Sequence, residues 1–216
     1  MNFDNLQYRV WTDHLETPFF PIQHTKWYDS LTPKDKYVHQ IIVDIFGVCY
    51  GDACDSTNLP HEKVGYLLGT FFDVQSAQQH QHTAMDILNS FEQEGDPRYQ
   101  LFINDAHLNK KFASTEKNLF FIKCLYIDAH YRKQGIGHQI ISNLEHILAY
   151  SSGFKIDYAI TFPIGSELLK GDTCFIEDPC AIPSIKCFFS KLDYHSIDGT
   201  NLLFKDLTQT NNIANL

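Results

Sequence analysis

The densest run of chemistry-bearing residues is HYRKQGIGH, residues 130–138. Gly135 and Gly137 let the main chain turn tightly and leave room for a ligand beside the backbone. Arg132 and Lys133 add two positive charges, flanked by His130 and His138. If a helix begins here, its unpaired N–H groups and the positive end of its dipole suit a phosphate. Arg132 is one of three arginines in the chain, and the formal net charge is −9. A cationic turn in such a chain points to an anionic ligand. The plainer reading is a glycine turn joining strand to helix, with a solvated Arg–Lys pair.

Other reactive residues carry weaker signals. His80 and His82 in QQHQH could catch a metal, but a solvated helix face explains them as well, and no metal is expected. The six cysteines contain no CxxC pair, so a structural zinc site is not expected. Cys174 and Cys180 flank a polar loop and could bridge under oxidation, though core or loop thiols are the simpler reading. No Ser-His-Asp constellation can be read from spacing.

These residues must be positioned by a fold, and 216 residues supply one well-cored domain. Apolar residues make up 44% and charged residues 20%, with 17 Phe and 11 Tyr for the core. The acidic balance disfavours a general nucleic-acid or anionic-membrane coat, so neither partner is expected. No signal peptide or apolar span is visible, and a reducing cytoplasm is the expected setting.

Leu6, Tyr8 and Val10 alternate with polar neighbours as a short first strand. Residues 13–31 read as irregular. Thr32-Pro33 then predicts a helix carrying Tyr37, Ile41, Ile42, Ile45, Phe46 and Cys49 on one wide face. Residues 51–60 read as a polar loop, and residues 63–73 as a strand. Ser76 with Gln79 suggests a capping box for a helix reaching about Phe91. Residues 99–104 read as another strand. LFFIKCLYID, residues 119–128, is the clearest strand, apolar at nearly every position and expected at the centre of the sheet.

A helix over 138–150 carries Ile140, Ile141, Leu144, Ile147 and Leu148 on one face. Residues 158–162 read as a strand. Ile185, Phe188, Phe189 and Leu192 mark a further amphipathic helix, and residues 202–207 close the sheet. The order implies a single α/β or α+β domain with a mixed sheet, its core about 36–207. Residues 1–35 would be an N-terminal extension and 208–216 a frayed tail.

LYIDAHYRKQGIGHQIISNLEHIL resembles the acetyl-CoA motif of the GNAT superfamily of N-acetyltransferases. In that motif a strand ending hydrophobic-x-hydrophobic is followed by a short turn, then Arg/Gln-x-x-Gly-x-Gly/Ala, then a helix. Leu125 and Ile127 stand at the apolar strand positions; Arg132, Gly135 and Gly137 stand at the signature positions. The close match covers roughly 24 residues, and IKCFFSKLDY (185–194) resembles the family's later helix and its exit into the last strands.

The resemblance implies a central mixed, mostly antiparallel twisted sheet flanked by helices. It also implies direct transfer of an acetyl or other acyl group from coenzyme A to a primary amine. Main-chain N–H groups of Lys133, Gln134, Gly135, Ile136, Gly137 and His138 would cradle the pyrophosphate. The strand edge at Leu125, Tyr126 and Ile127 would pair with the pantetheine arm and offer an amide to the oxyanion. Arg132 belongs to the same cofactor set.

Family members often protonate the departing thiolate with a tyrosine where this chain has Phe189, which has no proton to give. Cys187, Ser190, Tyr194 or water could substitute, or no acid is needed. Asp128, where the strand opens beside the turn, is the candidate base; equally, it could cap the turn or pair with Arg132. Strand alternation sets Lys123, Leu125 and Ile127 on one face and Tyr126 with Asp128 on the other.

The acceptor is not readable; the loop 164–183, with Glu167, Glu177 and Asp178, could serve as a lid or meet a cationic amine. A homodimer is compatible with the sequence. Two other readings stand beside acyl transfer. One is a non-catalytic acyl-CoA-binding sensor or regulatory module. The other is a phosphate- or nucleotide-binding domain, although a Walker GK[ST] ending and GxGxxG spacing are both missing.

Overall fold

The computed structural model describes residues 5–12, 36–48, 61–91, 115–163, 165–168 and 175–208. In chain order the first three strands are β1 (Asn5–Thr12), β2 (Val38–Val48) and β3 (His61–Phe72). The helix expected after Thr32-Pro33 is therefore a strand from Val38 onward. Ile41, Val43 and Ile45 are buried to 1% exposure or less, whereas Ile42 between them is 42% exposed. That is the two-residue period of a sheet. Ile41, Ile42, Ile45 and Phe46 also fit a helical face, so local spacing alone did not decide. Pairing to β1 on one side and β3 on the other decides it.

Two short helices follow, α1 (Val74–Gln79) and α2 (Ala84–Phe91). Asp73, not Ser76, caps the first, accepting from the Ser76 N–H at 3.1 Å. Gln81, at φ 67°, separates the two. Thr83 and Asp86 then form a reciprocal box: Asp86 N–H donates to Thr83 Oγ1 at 3.2 Å and Thr83 N–H to Asp86 Oδ2 at 2.7 Å. One long helix is thus two, because each carries its own cap. The strand expected over 99–104 lies outside the described residues, as do the segments 13–31 and 51–60.

Next come β4 (Leu119–Ile127), a 3-10 turn at Ala129–Tyr131, and helices α3 (Ile136–Ser142) and α4 (Leu144–Ser152). The single helix expected over 138–150 starts two residues earlier and breaks at Asn143, where φ is −103° and ψ 7°. Ile140, Ile141, Leu144, Ile147 and Leu148 still share the buried face across the break. The chain continues with β5 (Tyr158–Thr161), β6 (Gly165–Leu168), β7 (Phe175–Asp178), α5 (Ile182–Ser190), β8 (His195–Ser196) and β9 (Leu203–Asp206). The stretch 164–183 is thus not a bare loop: β6 and β7 pair as an antiparallel hairpin that runs into a 3-10 turn and α5.

Seven strands pair in the order β1-β2-β3-β4-β5-β9-β8. The last segment does not close the sheet, since β8 pairs outside β9. The pairing is antiparallel except between β4 and β5, giving the mixed, mostly antiparallel sheet that the resemblance implied. One face packs α3, α4 and α5 over Val43, Ile45, Leu67, Phe120 and Ile122; the other packs α1 and α2 over Leu119, Phe121 and Ile160. Asp157, 1% exposed, ties the strand starts together by accepting from Asn118 N–H at 2.9 Å and Gln75 Nε2 at 3.0 Å. Among the described residues no helix is long and apolar enough to cross a membrane.

Candidate active site

The register between β3 and β4 slips between Leu68 and Gly69, so that Leu68 faces Cys124 while Gly69 faces Ile122. Lys123 is the extra residue of a β-bulge. The slip reverses the alternation of faces: Phe120 and Ile122 lie on the α3 side before it, Leu125 and Ile127 after it. Lys123 does not share their face, as simple alternation had suggested. Its Nζ donates instead to Gln40 Oε1 at 2.7 Å.

Beyond the bulge β4 has no paired neighbour on one side among the described residues. Its pairing with β5 runs from Leu119↔Tyr158 to Ile122↔Thr161, and β5 ends there. On the other side Asp128 N–H donates to Val64 O at 2.9 Å, which makes Val64 and Asp128 a hydrogen-bonded pair of the antiparallel ladder. Pairs alternate along such a ladder, so Tyr66 and Tyr126 form the next bonded one. Leu125 and Ile127 consequently aim their N–H and C=O groups away from β3, into the gap left by β5.

That gap is a cleft of about 730 Å³, walled by β4, the following turn, the end of β5 and one side of α5. Of the expected cofactor set, Leu125, Tyr126, Ile127, Arg132, Lys133, Gly135, Ile136, Gly137 and His138 line it. Gln134 does not; its Nε2 turns back to the His130 carbonyl at 3.1 Å. Lys123 and Lys191 also face the cleft, which no carboxylate lines among the described residues. In a chain of net charge −9, this concentrates positive potential in one place.

The turn is shaped for backbone contact. Lys133 and Gly135 both take positive φ, 63° and 81°. Gly135 is the α3 N-cap and offers no side-chain oxygen to the helix end. The first intrahelical bond runs from Gln139 N–H to Gly135 O at 2.9 Å, so the amides ahead of it point out of the helix end. A Cβ at Gly137 would sit 3.4 Å from Leu125 Cδ2 and 3.5 Å from Phe188 Cζ. The strand and α5 therefore pack against the turn closely enough to admit Gly or Ala but little more.

The proposed acid and base positions fare differently. Asp128 does not line the cleft. Its Oδ1 accepts from His130 N–H at 2.9 Å and meets His130 Nδ1 at 2.9 Å. These bonds, the backbone one first, hold its carboxyl below the ordinary range, with the charges of His130 and Arg132 adding a little. The geometry supports the turn-capping reading, through His130 rather than Arg132. Phe189 lines the cleft, edge-on to Phe188 and Tyr194. Cys187, Ser190 and Tyr194 do not line it. Tyr194 is 3% exposed, and burial pushes its phenol well up. What the sequence missed is Thr161 and Phe162 at the end of β5 and Ser184 on α5, all cleft-lining. No local signal marks them, because the opening between β4 and β5 depends on strand lengths.

Away from the cleft, His80 Nδ1 meets the Ser76 carbonyl at 2.9 Å, and both His80 and His82 lie against the Tyr37 ring. No group of three or more His, Cys, Asp or Glu gathers as a metal cluster among the described residues.

The mixed, mostly antiparallel sheet with helices on both faces and a glycine turn between β4 and α3 is the arrangement that the sequence resemblance implied. No family model and no curated protein matches the chain. Solved structures do. A mutant of the toxin AtaT, bound to the C-terminus of the antitoxin AtaR and acetyl-CoA, aligns at TM-score 0.40 and 12% identity, covering 99% of this chain and 100% of that one. Arylalkylamine N-acetyltransferase 2 from Aedes aegypti aligns at 0.39 and 15%, over 78% and 73%. AtaT complexed with acetyl-methionyl-tRNAfMet aligns at 0.40 and 11%, over 97% and 99%. Likeness at this level assigns neither acceptor nor chemistry.

Proposed function

We propose that this chain is an acetyl-CoA-dependent N-acyltransferase that moves an acetyl or other acyl group directly onto a primary amine. One observation carries the reading. The outward-facing main chain of Leu125 and Ile127 and the uncapped amides at the start of α3 open into the same cationic cleft.

Each part has a task. The amides of Lys133 to His138, with Arg132 and Lys133 beside them, would receive the pyrophosphate. The free edge at Leu125 and Ile127 would hold the pantetheine arm as an added strand. An N–H of that edge would stabilise the charge that develops on the thioester oxygen when an amine attacks. Nitrogen bonds to the acyl carbon, the carbon–sulfur bond breaks, and coenzyme A departs. Among the described residues no carboxylate lines the cleft and α5 presents Phe189 rather than a tyrosine, so in this scheme the proton from the ammonium leaves to solvent and the thiolate takes one from it. Asp128 acts in this scheme as the cap of the turn, not as a base.

Calorimetric titration with coenzyme A, followed by free-thiol release across a panel of amines, tests the proposal. Binding and turnover support it; absence of any heat with coenzyme A or acetyl-CoA removes it. Phe189 at the tyrosine position and Asp128 outside the cleft favour a second reading, a non-catalytic acyl-CoA sensor. Binding without thiol release on any amine would decide for the sensor.

A further inference from the structure

The sheet face opposite α3 and α4 carries an unbroken series of aromatic and charged contacts from the edge strand to the cofactor turn. Arg9 Cζ lies 5.7 Å from the Trp11 ring and 5.3 Å from that of Phe46. Trp11 Nε1 donates to Asp44 Oδ2 at 3.0 Å, and Asp44 Oδ1 meets Lys63 Nζ at 2.6 Å. Lys63 Nζ lies 5.8 Å from the Tyr66 ring, which stacks on Tyr126 at 5.3 Å and 24°. Arg132 Cζ covers Tyr126 at 5.8 Å, and its Nε donates to the Ile127 carbonyl at 2.8 Å. Strand register puts Arg9, Asp44, Tyr66 and Tyr126 in one row across β1 to β4.

Two features separate this series from ordinary packing. Tyr66 is only half-buried and belongs to neither core cluster, so the core does not require its ring. The series also ends on the residues that shape the cleft, since Tyr126, Ile127 and Arg132 all line it. An unrestrained arginine samples many rotamers, and ordering one costs about 2 kcal/mol of side-chain entropy. A ring held in place beneath the guanidinium lowers that cost before any ligand arrives.

We infer that Tyr66 is a positioning residue for the cofactor turn. Its ring fixes Tyr126, Tyr126 fixes Arg132, and Arg132 clamps the Ile127 carbonyl, so that strand edge and turn hold one geometry. Tyr66 itself does not line the cleft. The inference rests on the acyl-CoA reading for the identity of the ligand, but not for the existence of the brace.

The test uses the full chain in two stages. Amide hydrogen exchange without ligand compares the parent with Tyr66→Leu, Tyr66→Thr and Tyr66→Phe; Thr suits a half-exposed strand site should Leu not fold. Exchange across residues 127–137 should quicken about tenfold in Leu and Thr and stay near the parent in Phe. Unchanged exchange in all three overturns the inference. Coenzyme A titration should then give a Kd about tenfold weaker for Leu and Thr, equivalent to about 1.4 kcal/mol. Turnover at saturating acetyl-CoA should hold within about twofold. A fall in kcat at constant KM would overturn a positioning role. A parent that binds no coenzyme A sinks the acyltransferase proposal alone, because the exchange measurement still judges the brace.

Discussion

Arg132 donates its Nε–H to the carbonyl of Ile127 at 2.8 Å, so the signature arginine of the turn is held by the strand that precedes it. Its charge and its geometry therefore act together. A lysine keeps the charge but lacks both the planar guanidinium that lies over Tyr126 and a donor at the Nε position. Arg132→Lys should weaken coenzyme A binding about tenfold, a loss of about 1.4 kcal/mol. Calorimetry reads this directly, and an unchanged affinity would mean that charge alone matters there.

The two signature glycines should respond differently to alanine. Gly135 sits at φ 81°, where a Cβ is strained whatever the surrounding space. Gly135→Ala should cost about 1–2 kcal/mol in urea unfolding and weaken coenzyme A binding. Gly137 has an ordinary backbone, and its Cβ would meet neighbours at 3.4 Å or more. Gly137→Ala should stay within about 0.5 kcal/mol of the parent.

Asp128 distinguishes a cap from a base. Its carboxyl is lowered chiefly by the His130 N–H, so its contribution to the fold is present above the ordinary carboxylate range. It is lost only as pH falls through the lowered value, below about pH 4. Asn retains an oxygen for the same N–H. Asp128→Asn should therefore keep turnover within about threefold and leave the rate profile between about pH 6 and 9 unaltered in shape. A loss of a hundredfold or more would restore it as the base.

Tyr194 should report on stability in alkali. Burial raises its phenol, so above the ordinary tyrosine value of about 10 the unfolded chain binds fewer protons than the folded one. Stability then falls as pH rises above about 10, and Tyr194→Phe should flatten that fall. Urea midpoints measured along that series give the slope. Turnover in Tyr194→Phe should remain within about twofold, since the hydroxyl lies outside the cleft.

Much of the strand and turn that wall the cleft was legible because LFFIKCLYID is apolar almost throughout and the Arg-x-x-Gly-x-Gly pattern follows it directly. Residues 38–48 were not, since Ile41, Ile42, Ile45 and Phe46 satisfy both a helical and an extended period. Only pairing with β1 and β3 selects the strand. The bulge at Lys123 leaves no local trace either. It arises from a register slip against Leu68 and Gly69 of β3, far away in the chain but adjacent in the sheet, and it puts Lys123 and Leu125 on opposite faces where simple alternation expected one. The positions of the acid and base candidates were not legible for a related reason. Whether Asp128, Cys187 or Tyr194 reaches the cleft depends on which way each turns within its element, and sequence order does not encode that.

A crystal structure of the full chain with coenzyme A at saturation tests the central claim most directly. The account predicts pyrophosphate oxygens within hydrogen-bond distance, about 3 Å, of the amides of Lys133 to His138, and a pantetheine arm paired with Leu125 and Ile127. Coenzyme A bound elsewhere, or no coenzyme A in the cleft between β4 and β5, would contradict it.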